Sequence, residues 1–89
     1  MTAHGIHLVV DTTSIASGTR LALTVSGLPA HERCHLLALA ADGTMHDAGT
    51  WNANYDGAAK LVESTDVTRS QLRGLTLLGN GKRLVELNI

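Results

Sequence analysis

The residues best suited to chemistry stand close together. His31, Cys34 and His35 spell H-x-x-C-H. Thiolate and imidazole are favoured zinc ligands, and a turn leading into a strand can gather two of them. A structural zinc site takes about four ligands with paired spacing, and no second pair stands elsewhere in the chain. Neighbouring residues of a strand also point to opposite faces, which would separate Cys34 from His35. These three are the candidate metal ligands. The bland alternative is favoured: Cys34 packs as a small hydrophobe beside turn histidines, and no metal or other cofactor is expected.

Nucleophilic chemistry has still less support. Ser, His and Asp are plentiful, but no G-x-S-x-G elbow is present and no residue is primed as a nucleophile at a helix start. Gly79-Asn80-Gly81-Lys82 has the glycines and lysine of a phosphate loop without the G-x-x-x-x-G-K-[ST] spacing or a following helix, so it reads as a hairpin turn. Asp42, Asp47, Asp56 and Asp66 are read in turn contexts, where Asp serves the backbone, and they lack calcium-loop spacing. His4 and His7, near the first strand, read as solvated. The expectation is a protein that is not an enzyme.

The elements that would position these residues follow from composition and alternation. Eighty-nine residues, 44% hydrophobic and 17% charged with net charge −1, make one globular domain with no basic footprint for nucleic acid or anionic lipid. Trp51 and Tyr55 are the only aromatic residues, so the core must be aliphatic. A single cysteine excludes an intrachain disulfide. No apolar run approaches the ~20 residues that span a bilayer, and residues 1–5, lacking signal-peptide features, read as a frayed, disordered terminus.

Residues 6–89 then read as a single all-β domain. Ile6–Thr12 alternates as a first strand, and Thr13–Gly18 is a loop rich in turn formers. Thr19–Ser26 places Leu21, Leu23 and Val25 on one face, the pattern of a half-buried antiparallel strand. Gly27-Leu28-Pro29-Ala30 ends it. Cys34–Ala41 is apolar on both faces, which predicts a central strand rather than the helix that Leu and Ala alone would favour. Asp42-Gly43 turns the chain into Thr44–Trp51, with Gly49 a bulge or close-approach point. Leu21–Trp51 thus reads as three consecutive antiparallel strands joined by two turns.

After a turn-rich connection at 52–57, Ala58–Ser64 forms the next strand. Residues 65–73 predict one helical turn, with Thr68 and Gln71 at capping-box spacing and Val67 and Leu72 docking it. Leu75–Gly79, Asn80-Gly81 and Lys82–Ile89 make a closing hairpin. About seven short strands predict a small antiparallel β-sandwich of immunoglobulin-like or fibronectin-like size with one short helical turn.

A single two-sheet sandwich has one core, yet Leu37 and Leu39 lie on the face opposite Leu36. These two are the candidate interface, to be covered by a loop, the helical turn, a protein partner or a second copy of the chain. Burying one such leucine contributes roughly 1.5–3 kcal/mol.

"LTVSGLP", a polar turn, an apolar strand, "DGT" and "AGTW", with the closing "LTLLGNGKRLVEL", resemble the C-terminal extracytoplasmic domain of actinobacterial membrane-anchored anti-sigma factors of the zinc-associated or sigma-K type. The similarity runs from about Ile6 to the end and is most specific between Leu23 and Trp51. It implies a non-catalytic sensor or regulatory β-sandwich on the extracytoplasmic face of the membrane, within a longer single-pass protein that controls sigma-factor release. It also implies that the sigma factor binds a separate N-terminal domain and that this segment does not itself insert into the membrane, while the near-neutral charge argues against nucleic acid as a partner. The motif is one of folding, so it assigns no functional residues. The alternatives are a secreted or cell-surface Ig-like interaction module and, third, a small metal-binding or hydrolytic domain.

Overall fold

The computed structural model describes residues 2–3, 5–28, 31–53 and 58–89. Strands β1 (Thr2–Ala3), β2 (Ile6–Ile15), β3 (Gly18–Ser26), β4 (Glu32–Ala40), β5 (Met45–Ala53), β6 (Ala58–Thr65), β7 (Leu72–Gly79) and β8 (Lys82–Asn88) follow in order. Every pairing is antiparallel, in two four-stranded sheets ordered β1-β2-β3-β6 and β5-β4-β7-β8. Seven full strands and a two-residue edge piece make the all-β sandwich that the alternation predicts. Four consecutive pairs, β1–β2, β2–β3, β4–β5 and β7–β8, stay within a sheet, while β3 to β4, β5 to β6 and β6 to β7 cross between sheets.

The core forms where the two inner faces meet. Leu8 from β2, Leu21, Leu23 and Val25 from β3, Leu36 and Ala38 from β4, Leu75 and Leu77 from β7 and Val85 from β8 are all buried. The period-2 alternation of β3 supplies one side and that of β4 the other.

Several expectations need correction. Leu21–Trp51 is not one run of three paired strands: β3 pairs with β2 and β6, whereas β4 pairs with β5 and β7 in the other sheet. Alternation states which residues face the core; it does not choose between a neighbour beside a strand and one across the sandwich. Thr13–Gly18 is not a loop, because β2 continues to Ile15 and Gly18 already pairs with it, leaving only Ala16–Ser17 to turn. The terminus read as frayed contributes Thr2–Ala3 as a strand on β2. Pro29, Ala30 and the 54–57 part of the turn-rich connection lie outside the described residues.

No helix forms among the described residues. Where a helical turn was expected, the Thr68 carbonyl accepts N–H bonds from both Gln71 and Leu72 at 3.0 Å, and Leu72 enters β7 at once. Thr68 Oγ1 lies 3.4 Å from Ser70 Oγ rather than serving a capping box. Val67 and Leu72 are buried beneath this turn, and the connection closes one end of the sandwich. Thr19 Oγ1 donates to the Val67 carbonyl at 2.8 Å, Arg69 Nε donates to Thr12 Oγ1 at 2.8 Å, and Ala41 N–H donates to the Gln71 carbonyl at 2.8 Å.

Candidate functional site

The three candidate metal ligands are divided by the strand that carries two of them. His31 is exposed in the turn before β4, with φ 64 and its N–H donating to the Ala53 carbonyl at 2.7 Å. Cys34 points inward and is fully buried, its thiol 3.8 Å from the Glu32 carbonyl. Burial, and secondarily the Glu32 charge, push the thiol up to about 11, which keeps it in the unreactive protonated form. His35 points out of the other face of the sheet, where its Nε2 meets Asp47 Oδ1 at 2.6 Å.

That outer face is the candidate site. Register places Leu37 between Asp47 of β5 and Thr76 of β7, Leu39 between Met45 and Gly74, and His35 between Thr50 and Leu78. Leu37, Leu39 and Leu78 are half-buried, and Met45 beside them is 46% exposed. They form an apolar centre between two ion pairs, His35–Asp47 on the β5 side and Arg83–Glu86, 2.9 Å apart, on the β8 side. A depression of about 280 Å³ lies at one end, lined by residues including His35, Thr50, Leu78 and Asn80. Neighbouring strands of the same sheet half-cover Leu37 and Leu39; the expected helix is not there to do so.

The β7–β8 turn is fixed to the start of β4 by Asn80. With φ 49, this residue uses Oδ1 to accept the Arg33 N–H at 3.0 Å and Nδ2 to donate to Glu32 Oε2 at 3.0 Å, while its own N–H donates to the Arg33 carbonyl at 2.8 Å. The Asn-Gly signal therefore marks both a hairpin and a clamp on the strand that carries His35, Leu37 and Leu39.

A second, polar cleft of about 340 Å³ opens where β5 and the β6–β7 connection face each other, lined by Ser17, His46, Asp47, Ser64, Thr65 and Asp66. The sequence pattern does not single out His46 and places Asp47 in a turn; Asp47 instead lies within β5, its carboxylate on His35 of the neighbouring strand. Both contacts are long-range, so spacing carries no signal for them. His46 Nδ1 lies 3.0 Å from Asp66 Oδ1 and its Nε2 lies 2.8 Å from Thr44 Oγ1.

Hydroxyl, imidazole and carboxylate thus stand in the order of a hydrolytic triad. The Thr44 proton is committed elsewhere, however: Asp42 Oδ1 accepts the Thr44 hydroxyl at 2.6 Å and the Thr44 N–H at 3.0 Å. These bonds from Thr44 hold the Asp42 carboxyl below the usual range, so it accepts and does not donate. With its proton directed at Asp42, Thr44 has none to give His46, so the contact is not the hydroxyl-to-imidazole transfer that a general base performs.

On the inner side of the same edge, Glu63 of β6 reaches into the gap between the sheets. Burial raises its carboxyl above the ordinary range, and the Asp47 charge adds to the effect. Asp47 itself is held low, first by its bond from His35. The Trp51 indole N–H is buried without an acceptor among the described residues. Comparison with family models, curated proteins and solved structures finds no match to this chain.

Proposed function

We propose that residues 6–89 are the extracytoplasmic regulatory domain of a membrane-anchored anti-sigma factor, acting by protein contact rather than catalysis and controlling sigma-factor release and transcription. The observation that carries the contact reading is the outward apolar centre Leu37, Leu39 and Leu78, half-buried between two surface ion pairs on a sheet whose other face already packs the core. A polar rim around an apolar centre is the anatomy of a protein-contact surface. The "LTVSGLP … DGT … AGTW" stretch supplies the family reading; its DGT and AGTW parts belong to the β4–β5 hairpin that displays this face, whereas LTVS lies in β3 of the other sheet. Support for a non-catalytic role comes from the chemistry of the candidate groups: a buried Cys34 thiol pushed up to about 11 and a Thr44 hydroxyl committed to Asp42.

The same face suits a secreted or cell-surface interaction module, and one experiment separates the two. Removing the codons for residues 6–89 from the natural open reading frame changes transcription from sigma-dependent promoters if the first reading is right. That frame also encodes an upstream sigma-binding segment and an apolar span of ~20 residues. A frame with neither, and unchanged transcription, assigns the domain to the interaction-module class.

A further inference from the structure

Sheet edges offer unpaired backbone groups to any passing strand, and proteins blunt them with bulges, lysines and inward charges. Three edges of this sandwich carry such devices. Strand β5 bulges where Ala48 and Gly49 oppose Leu36 alone. Strand β8 bulges at Leu84 and carries Lys82 and Arg83. Strand β6 has Lys60 outward and the half-buried Glu63 turned inward.

The remaining edge, β2, is different. Its register with β3 is unbroken over nine pairs from His7 to Ile15. β1 covers only Ile6 and His7 on the other side, and among the described residues no strand lies against Val9–Ile15 there. That stretch, Val-Val-Asp-Thr-Thr-Ser-Ile, has no Pro, Lys, Arg or Gly and is rich in β-branched residues.

We propose that the open edge of β2 pairs antiparallel with β2 of a second copy of this chain, about a two-fold axis through Thr12. The sequence of the edge selects both the occupant and the register. Val9 and Ile15 are exposed by 45% and 39% and share the outer face of the sheet. With Thr12 opposite its own copy, each Val9 lies directly across from Ile15 of the other chain, Val10 across from Ser14 and Asp11 across from Thr13. Two exposed apolar side chains thereby cover each other twice, and each Asp11 meets a hydroxyl. Shifting the axis to Asp11 would set two carboxylates face to face and leave Val9 opposite Thr13, a poorer set of cross-strand pairs.

This register occupies only the part of the edge that β1 leaves open. It joins the two β2 sheets into one continuous sheet with an isologous interface. Arg69, bonded to Thr12, brings one guanidinium from each copy to the axis on the inner side; their repulsion opposes the pairing and is screened by salt.

Sedimentation equilibrium of residues 1–89 over a concentration series, at low and high salt, tests the proposal. The expected result is a monomer–dimer equilibrium that tightens with added salt and on Arg69→Gln. Val9→Lys or Ile15→Lys, at solvent-facing positions, weakens it roughly tenfold through loss of the two Val9–Ile15 pairs. The register is read by oxidising Val9→Cys and Ile15→Cys chains: the mixture forms a heterodimeric disulfide, and neither variant alone forms one. A monomer at every concentration, a dimer insensitive to both lysine variants, or cross-linking of Val9→Cys to itself overturns the proposal.

Discussion

Gly49 and Glu63 meet across the gap between the two sheets. A methyl group on Gly49 would sit 2.5 Å from Glu63 Oε2, and the Gly49 backbone has φ +125, where side chains are rarely tolerated. The bulge that Gly49 permits in β5 aims Asp47 toward His35, so a position chosen for backbone freedom also sets the rim of the outer face. Gly49→Ala is expected to destabilise the domain by about 1–3 kcal/mol. Chemical denaturation measures it. Adding Glu63→Ala should recover the part due to collision and leave the part due to φ, as a double-mutant cycle will resolve.

Glu63 also predicts a pH signature. Its carboxyl is raised by burial and by the Asp47 charge, so its contribution is fully present below the ordinary Glu range and is lost as pH rises through the folded value. At neutral pH the ionised group opposes folding. Glu63→Gln should therefore raise the melting temperature at pH 7, and the gain should shrink to nothing on acidification below the carboxylate range. Asp47 has the opposite sign: held low by His35, it loses its stabilising contribution as pH falls. Asp47→Asn should thus cost stability at neutral pH and cease to do so in acid.

Asn80 makes two side-chain bonds and adopts a left-handed conformation. Asn80→Ala forfeits both and is expected to cost about 1–3 kcal/mol. Asn80→Gly should cost less, because only the side-chain bonds are lost. If the two variants melt alike, the conformational contribution is negligible and the clamp rests on the side chain alone.

Cys34 should behave as a core residue. With the thiol raised from 9.0 to about 11 by burial, its contribution to stability is complete below about pH 9 and is lost as pH rises through about 11. Labelling by a thiol reagent at pH 8 should proceed at the rate of global opening and accelerate with denaturant. Immediate labelling of the native protein would contradict its placement.

The sequence was most informative where one face meets the core. Leu21, Leu23 and Val25, and Leu36 with Ala38 against Leu37 and Leu39, fall on the sides that alternation assigns, and Asn80-Gly81 turns the chain as expected. Strand neighbours are less legible, since alternation is the same whether the next strand lies beside or opposite; the pattern alone sets β3 and β4 side by side, and the fold sets them in opposite sheets. Thr13–Ile15 reads as a loop because hydroxyl residues suit turns, yet all three are exposed on an edge strand, where β-branched Thr and Ile are equally at home. Of the candidate site, the apolar pair was visible and its ion-pair rim was not. His35–Asp47, Arg83–Glu86 and His46–Asp66 join different strands, a β-bulge or a crossover connection, and only the fold brings the longer-range pairs together.

The contact face at Leu37 and Leu39 is where the proposed regulatory role stands or falls. Leu37→Gln with Leu39→Gln, made in the natural full-length protein, should leave its abundance close to that of the parent, because both side chains lie outside the core. Leu36→Ala, on the buried face, should cost about 2–5 kcal/mol. The direct measurement is transcription from a sigma-dependent promoter in cells carrying the double glutamine variant. A changed output at unchanged protein level is the predicted result; an output identical to the parent's, with the fold intact, would contradict it.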